Sequence, residues 1–322
     1  MVLKLNAWGD SLMNKILHIT NGDSLNDRLK LLGVEGQFAV WREMLCEGKT
    51  RFKVGSPKFI QTRKDFLYET YDIDPAFYED HFGSQLDLIA TASEYKEVIL
   101  WFEYDLFCHI NLVAAIAYLK RIEYKGPLYL VCSGRIEDKK GLFGLSELND
   151  MQLLRHYKEK ITLNDKDLAI AIKVWRLYCK KDHTRLHPSM AKDSSFEYLS
   201  NCISAHKERF PQIGTGLNTL ETQLLKLIDK YTIKSEHQFC GYGLTYQGYY
   251  GFGDMQIYRM IRRLSPYYDI ENGTYTLNVN GRAIVDDNTN LLGDTSYECS
   301  FGGASKFDYA YNPISHQLLK HL

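Results

Sequence analysis

Glu97-Val98-Ile99-Leu100-Trp101-Phe102, followed at once by Glu103-Tyr104-Asp105, is the stretch on which the fold turns. A near-continuous apolar run predicts a central strand buried on both faces. Three other runs share its plan. Residues 16–20 lead into Asn21-Gly22-Asp23-Ser24, residues 37–41 into Arg42 and Glu43, and residues 127–132 into Ser133-Gly134. Between them lie helical patterns. Leu25, Leu29 and Leu32 recur at helical spacing, and residues 106–121 are rich in Leu, Ile and Ala. Alternating strands and helices predict a Rossmann-like α/β domain with a parallel sheet over residues 13–148. Such sheets bind ligands outside the carboxyl ends of their strands. All four strands here end in polar residues or glycines.

The rest of the chain has a different texture. Residues 1–12 fit no element and read as a leader, extended or disordered. Residues 149–210 carry helical patterns only and read as a helical connector. Pro211-Gln212-Ile213-Gly214-Thr215-Gly216 reads as a linker. Residues 217–322 predict a winged-helix-like domain with a C-terminal tail. Helices are expected at 219–231 and 254–264, then a hairpin turning at Asn272-Gly273. Residues 241–253, with five glycines and four tyrosines, read as a flexible inserted loop.

Composition narrows the function classes. The chain has 322 residues, 45% hydrophobic and 25% charged, with net charge −1. That balance offers no electrostatic case for whole-protein binding to nucleic acid or membrane. The seven cysteines are scattered singly and form no C-x-x-C, which argues against a zinc ribbon. No secretory signal is evident in the first residues, and no apolar run reaches membrane-spanning length. The expected location is the cytoplasm, by default of a prokaryote.

The sheet-edge residues suggest chemistry. Glu103 and Asp105 alternate along an extended segment and can face one spot. Together with Asp23 they can hold Mg²⁺, with waters and a phosphate completing the octahedron. Without metal, paired carboxylates repel, and one can serve as a general acid. Asp23, Glu103 and Asp105 are thus both the catalytic and the metal candidates. Arg42 can grip an anion in two-pronged fashion. His18, Asn21, Gly22, Ser24 and Glu43 can orient that ligand, and Ser133-Gly134 can offer backbone N–H groups. The plainer alternatives are helix capping by Asp23, Ser24 or Asp105 and ordinary ion pairs of Arg42 and Glu103. Arg259, Arg262 and Arg263 lie on the helix before the hairpin, where a winged helix can contact DNA; the alternative is a solvated face. Dinucleotide binding is disfavoured, since no G-x-G-x-x-G follows the first strand.

Gly22-Asp23-Ser24-Leu25 invites comparison with GDSL hydrolases. That family takes its base from an Asp-x-x-His, and none occurs here. The same four letters recur at 9–12 outside any strand context. Covalent catalysis by Ser24 is therefore not expected.

Residues 17–24, Trp41-Arg42-Glu43 with Glu47-Gly48, and Trp101 through Phe107 with Asn111-Leu112 together resemble a bacterial family. It is known as domain-of-unknown-function family number eighteen thirty-five. Gly144-Leu145-Ser146-Glu147-Leu148 and Phe301-Gly302-Gly303 extend the resemblance over nearly the whole chain from Met13. It implies that the sheet-edge polar residues are the family's signature, and it brings no reaction with it. The expectation from all of this is a pocket for a phosphorylated or otherwise anionic small molecule, used for Mg-dependent binding or hydrolysis. The alternative is a ligand-sensing regulator whose C-terminal module binds DNA or a protein.

Overall fold

The chain begins with the expected strand–helix–strand unit: β1 (Ile16–Thr20), α1 (Asp23–Leu31) and β2 (Gln37–Val40). This computed structural model describes residues 15–136, 139–286 and 297–320, so the expected leader at 1–12 lies outside the described residues. A two-residue strand β3 (Gly48–Lys49) precedes α2 (Pro57–Tyr71), α3 (Pro75–Tyr78) and α4 (Ser84–Ala90). Helix α2 starts as its sequence dictates. The Ser56 side chain accepts from the Phe59 N–H, and Pro57 occupies a first-turn position that needs no donor. Then come β4 (Glu97–Phe102), α5 (Leu106–Arg121) and β5 (Leu128–Cys132).

The sheet runs β2-β1-β4-β5, all parallel. Strand β4 sits between β1 and β5, and five of its six residues are buried. Its alternation serves two cores. Val98, Leu100 and Phe102 enter the larger apolar cluster, while Ile99 and Trp101 join Leu25, Leu29 and Phe38 on the opposite face. Each such burial contributes about 1.5–3 kcal/mol before conformational entropy is charged. Register aligns the strand ends: Thr20 stands beside both Val40 and Trp101, and Phe102 beside Cys132. The polar residues that follow therefore leave the sheet at one edge.

The helical connector is less separate than expected. Its α6 (Asp150–Lys158) leads to β6 (Ile161–Thr162), which adds an antiparallel edge strand beside β5. Next, α7 (Asp165–Tyr178) and α8 (Leu199–Lys207) pack on α5. That explains why α5 is buried almost all round.

Beyond the linker lie α9 (Thr219–Lys230), α10 (Glu236–Tyr246) and α11 (Asp254–Arg263), then β7 (Tyr268–Glu271), β8 (Thr274–Leu277) and α12 (Val279–Val285). The β7–β8 hairpin turns at Asn272-Gly273, both with positive φ as a two-residue turn of this kind requires. The Tyr275 N–H also bonds the Ile233 carbonyl at 2.9 Å, drawing the α9–α10 connection alongside β8.

The expected loop at 241–253 is corrected here, because α10 runs through its first half. Glycine is a poor helix former, but at Gly243 its smallness is what the packing requires. A Cβ there would stand 2.7 Å from Ile257 Cγ2 and 3.0 Å from Leu224 Cδ2. Only residues 247–253 form a loop.

The tail folds back on the first domain. β9 (Ser300–Gly302) pairs with β3 and with β10 (Ala304–Ser305), with the turn between β9 and β10 at Gly302-Gly303. β11 (Tyr309–Asn312) and β12 (Gln317–Lys320) close the chain. One apolar cluster reaches from Leu17 to Leu318. Among the described residues, no helix is long and apolar enough to cross a membrane.

Candidate functional site

From β1 the sheet steps one way to β2 and the other way to β4. At that switch point the loops diverge and leave a crevice. It holds a cavity of about 400 Å³. One wall is the β1–α1 turn from Asn21 to Ser24, and another is Glu103, Asp105, Phe107 and Cys108 after β4. The third wall comes from the C-terminal part: Gly251 and the first turn of α11.

Glu103 and Asp105 converge as expected. Glu103 Oε1 accepts from the Ser146 N–H at 3.2 Å. Gly144 leaves room for this, since a Cβ there would lie 2.7 Å from Glu103 Oε2. Burial raises the Glu103 carboxyl above its usual range, against the pull of the Ser146 and Leu145 N–H groups. Asp105 caps α5, its Oδ1 accepting from the Cys108 N–H at 2.8 Å. It is buried, and desolvation pushes its pKa up to about 7; the Glu103 charge adds to the rise. Cys108 brings its Sγ to the same spot, and burial holds its thiol neutral. One ligand atom from each of Glu103, Asp105 and Cys108 lies within 4.8 Å of the others.

Asp23 is not part of that group. It lines the cavity, but its carboxylate takes a two-pronged bond from Arg42: Nη2 at 2.6 Å and Nε at 2.9 Å. The Arg42 bonds hold Asp23 below the usual carboxylate range. Two expectations are thereby corrected: Asp23 is not beside Glu103 and Asp105 as a third ligand, and Arg42 is not free to grip an anion. Its Nη1 also donates to the His81 carbonyl at 2.8 Å.

Asn21 ties the two walls together. Its Nδ2 donates to Cys108 Sγ at 3.1 Å, and its Oδ1 accepts from Asn111 Nδ2 at 2.8 Å. Asn111 sits a turn beyond Cys108 on α5, so the β1 loop and the α5 N-terminus are pinned to each other.

Gly22 takes φ 132° and is the N-cap of α1, with no side-chain cap. The expected capping by Asp23 or Ser24 is therefore not made, and the first N–H groups of α1 have no side-chain cap among the described residues. Ser24 lines the cavity, and among the described residues no base is hydrogen-bonded to it. The ring of His109 is buried and bonds the Asp105 carbonyl through Nδ1 at 3.1 Å.

Other candidates lie elsewhere. His18 is fully buried on the sheet, stacked on Phe38. Its Nδ1 accepts from Trp101 Nε1 at 3.0 Å and its Nε2 donates to the Glu35 carbonyl at 3.1 Å. Burial lowers its pKa to about 4, so it stays neutral and structural. Glu43 turns inward, where Arg63 grips both carboxylate oxygens at 2.8 Å and Tyr78 bonds Oε1 at 2.8 Å. Ser133 and Gly134 are buried rather than presented to the cavity. A Cβ on Gly134 would lie 2.3 Å from the Tyr198 ring, and the Tyr198 hydroxyl accepts from the Arg135 N–H at 3.0 Å.

The three arginines of α11 are occupied. Arg259 pairs with Glu47 at 3.4 Å and lies over the Tyr71 ring. Arg262 bonds both oxygens of Glu236 at 2.8 and 3.1 Å, and Arg263 stacks on Tyr297 at 3.8 Å.

What the residue pattern did not reveal is the third wall. The loop 247–253 docks on the α5 N-terminus, where the Leu106 N–H bonds the Tyr249 carbonyl at 2.8 Å and the Phe107 N–H that of Tyr250 at 3.2 Å. Gly251, at φ 67°, lies so close that a Cβ would stand 2.1 Å from Asp105 Cγ. The glycine density was the available signal, but in a sequence it does not separate close approach from flexibility. Asp254, Met255 and Gln256 then complete the wall.

The assembly is an α/β protein with an acidic crevice at the switch point of a mostly parallel sheet. No protein-family model matches the chain, and no curated protein matches it in sequence.

Proposed function

We propose that the crevice binds a phosphorylated small molecule by way of a divalent cation, with Glu103 and Asp105 as the cation's protein ligands. The observation that carries this is the cluster of Glu103, Asp105 and Cys108 within 4.8 Å, in a cavity whose lining includes four carboxylates and no basic side chain. Backbone N–H bonds hold both carboxylates in place, from Ser146 and Leu145 to Glu103 and from Cys108 to Asp105, and each can turn an oxygen to a cation. Two such oxygens, with the rest of the shell left to water and phosphate, suit Mg²⁺ or Mn²⁺. Bound there, the cation would neutralise phosphate charge and polarise a phosphoryl oxygen. The chain's own contribution is positional. Asn21 fixes Cys108 and the loop, the open N-terminus of α1 favours an anion at Gly22–Ser24, and loop 247–253 shields Asp105 from water. Membership of the domain-of-unknown-function family eighteen thirty-five is part of the same proposal, supported by Asn21, Asp23, Glu103, Asp105 and Ser146 of its motifs meeting at this crevice, while His18, Glu43 and Phe301-Gly302-Gly303 lie away from it.

Titration calorimetry with MgCl₂ and MnCl₂ tests it. Saturable binding is expected at pH 8 and loss in Glu103→Gln. Asp105 must be ionised to act as a ligand, so affinity should fall about tenfold from pH 8 to pH 6. Absence of cation binding by the unaltered chain at pH 8 would sink the proposal.

A second reading has its own support. The order α9, α10, α11, β7, β8, with the Tyr275 N–H bonded to the Ile233 carbonyl, supports a winged-helix reading. We infer that residues 217–286 are a winged-helix-like module coupled to the crevice, because α11 contributes its first turn to the cavity wall. Its arginines are spent within the chain, which supports a protein-contact or gating role over DNA binding. A mobility-shift assay should show weak or no duplex binding. Tight, salt-sensitive binding abolished by changing Arg259 and Arg262 would reverse that inference.

A further inference from the structure

A site of two carboxylates leaves one member of the acidic cluster without a task. Cys108 stands in the first turn of α5, and its Sγ lies within 4.8 Å of a carboxylate oxygen of Glu103 and one of Asp105. A thiol that serves only as core packs its sulfur on apolar atoms. Cys108 instead lines the crevice, with its sulfur facing two carboxylates and an amide.

That amide is held in one orientation by backbone groups outside the cluster. Asn111 is fully buried; its Oδ1 accepts from the Leu45 N–H at 3.2 Å, and its Nδ2 donates to the Glu43 carbonyl. The two bonds settle which end of Asn111 is which. Its Nδ2 also donates to Asn21 Oδ1 at 2.8 Å, so Asn21 must turn its own Nδ2 to Cys108 Sγ, at 3.1 Å. A donor aimed at sulfur favours the anionic form over the thiol. A place in the first turn of a helix of 16 residues does the same. Asp105 points to a cation independently. It lines the crevice, is only 5% exposed, and among the described residues pairs with no lysine or arginine. A buried carboxylate without a counter-charge, facing a cavity, is a place for a cation.

We propose that Cys108 is the third protein ligand of the Glu103–Asp105 cation site, and that this site takes Zn²⁺ in preference to Mg²⁺. This rests on the cation-bound phosphate reading and adds the identity of the metal. Two carboxylates are hard ligands, whereas a thiolate is soft and shifts the balance to zinc. Zinc accepts such a mixed set, at about 2.3 Å to sulfur and about 2.0–2.2 Å to oxygen. Ligand atoms on one such ion stand roughly 3.3–3.7 Å apart, so the widest pair here must draw in by about 1 Å. Three protein ligands leave the fourth tetrahedral position to water or a phosphate oxygen, as in catalytic zinc sites. On binding, the Cys108 S–H bond breaks, its proton passes to the buffer and a sulfur–zinc bond forms. The charge of the ion drives this step, although burial keeps the thiol protonated without it.

Cobalt reports the ligand set. Co²⁺ held by a thiolate shows a sulfur-to-cobalt charge-transfer band in the near ultraviolet, and Co²⁺ on oxygen ligands does not. The full chain, reduced and metal-free, should develop that band to saturation on titration with CoCl₂, and ZnCl₂ should erase it. Competition should show Zn²⁺ bound at least about tenfold tighter than Mg²⁺. Cys108→Ser should lose the band and weaken Zn²⁺ binding by about tenfold or more, with Mg²⁺ binding unchanged. Asn21→Ala, which keeps the thiol but removes its donor, should weaken Zn²⁺ about tenfold and also spare Mg²⁺. The thiolate proposal is overturned, and the two-carboxylate site stands, if Mg²⁺ or Mn²⁺ binds and Co²⁺ gives no band, or if Zn²⁺ binds no tighter than Mg²⁺. It is overturned equally if the band survives in Cys108→Ser or, should that variant not fold, if Asn21→Ala binds Zn²⁺ as tightly as the parent. If no divalent cation binds, both readings fall.

Discussion

Glu43→Ala should destabilise the protein by about 3–5 kcal/mol, the usual cost of stranding one partner of a buried ion pair. Both side chains of the Glu43–Arg63 pair are fully buried. Among the described residues, Arg63 otherwise donates to carbonyls alone: those of Glu47 at 2.7 Å, Lys49 at 3.0 Å and Met44 at 3.2 Å. Removing Glu43 leaves a guanidinium with no counter-charge in an apolar interior. The pair joins the end of β2 to α2, and Tyr78 brings in α3, so the loss falls on the scaffold behind the crevice. Urea unfolding would measure it. A double variant, Glu43→Leu with Arg63→Met, should recover much of the loss, since well-packed apolar replacements of buried pairs are often neutral. A Glu43→Ala cost below about 1 kcal/mol, typical of an exposed pair, would show that the pair is not buried in solution.

Asp105→Asn should do the opposite to stability while removing cation binding. An unfolded Asp105 ionises near its ordinary value of 3.8, and the folded one near 7, chiefly because burial disfavours the charge. Below about pH 4 both states hold the proton, and the carboxyl adds no pH dependence. Between 4 and 7 the unfolded chain has released its proton while the folded chain keeps it, so stability falls as pH rises. Above 7 the full penalty applies, roughly 4 kcal/mol as an upper figure from the pKa difference. Asparagine caps helices as well as aspartate does, and it carries no charge to desolvate. In metal-free buffer the variant should therefore gain on the parent as pH rises from 4 to 7 and stay ahead above it. A constant difference across that range would mean that Asp105 is not held protonated by the fold. Glu103→Gln, by contrast, serves as the binding test.

Much of the first domain was legible along the chain. EVILWF carries its two-faced burial in its composition, because only a strand covered on both sides can use six consecutive residues that way. The turn residues after each strand announced one shared edge, and parallel register delivered Asn21, Glu103 and Asp105 to it. Asn272-Gly273 announced its hairpin through backbone conformations that few other pairs adopt. These are local properties, set by residue type and period.

The tertiary structure alone decided which polar side chains face the crevice. Arg42, Asp23, Glu43 and Arg63 are all charged and near one another in the fold. Which of them pair depends on helix α2, some twenty residues away in sequence from the strand end. His18 alternates correctly for a strand but meets Trp101 and Glu35 rather than a ligand. Cys108 became a member of the acidic cluster only because α5 begins where it does. The third wall could not be foreseen from the glycines of 241–253, since a glycine that loosens a loop and one that admits a carboxylate at close range look the same in a sequence. Chain distance is the physical reason: Gly251 and Asp105 are 146 residues apart, and their contact is a fact of packing, with no local signature.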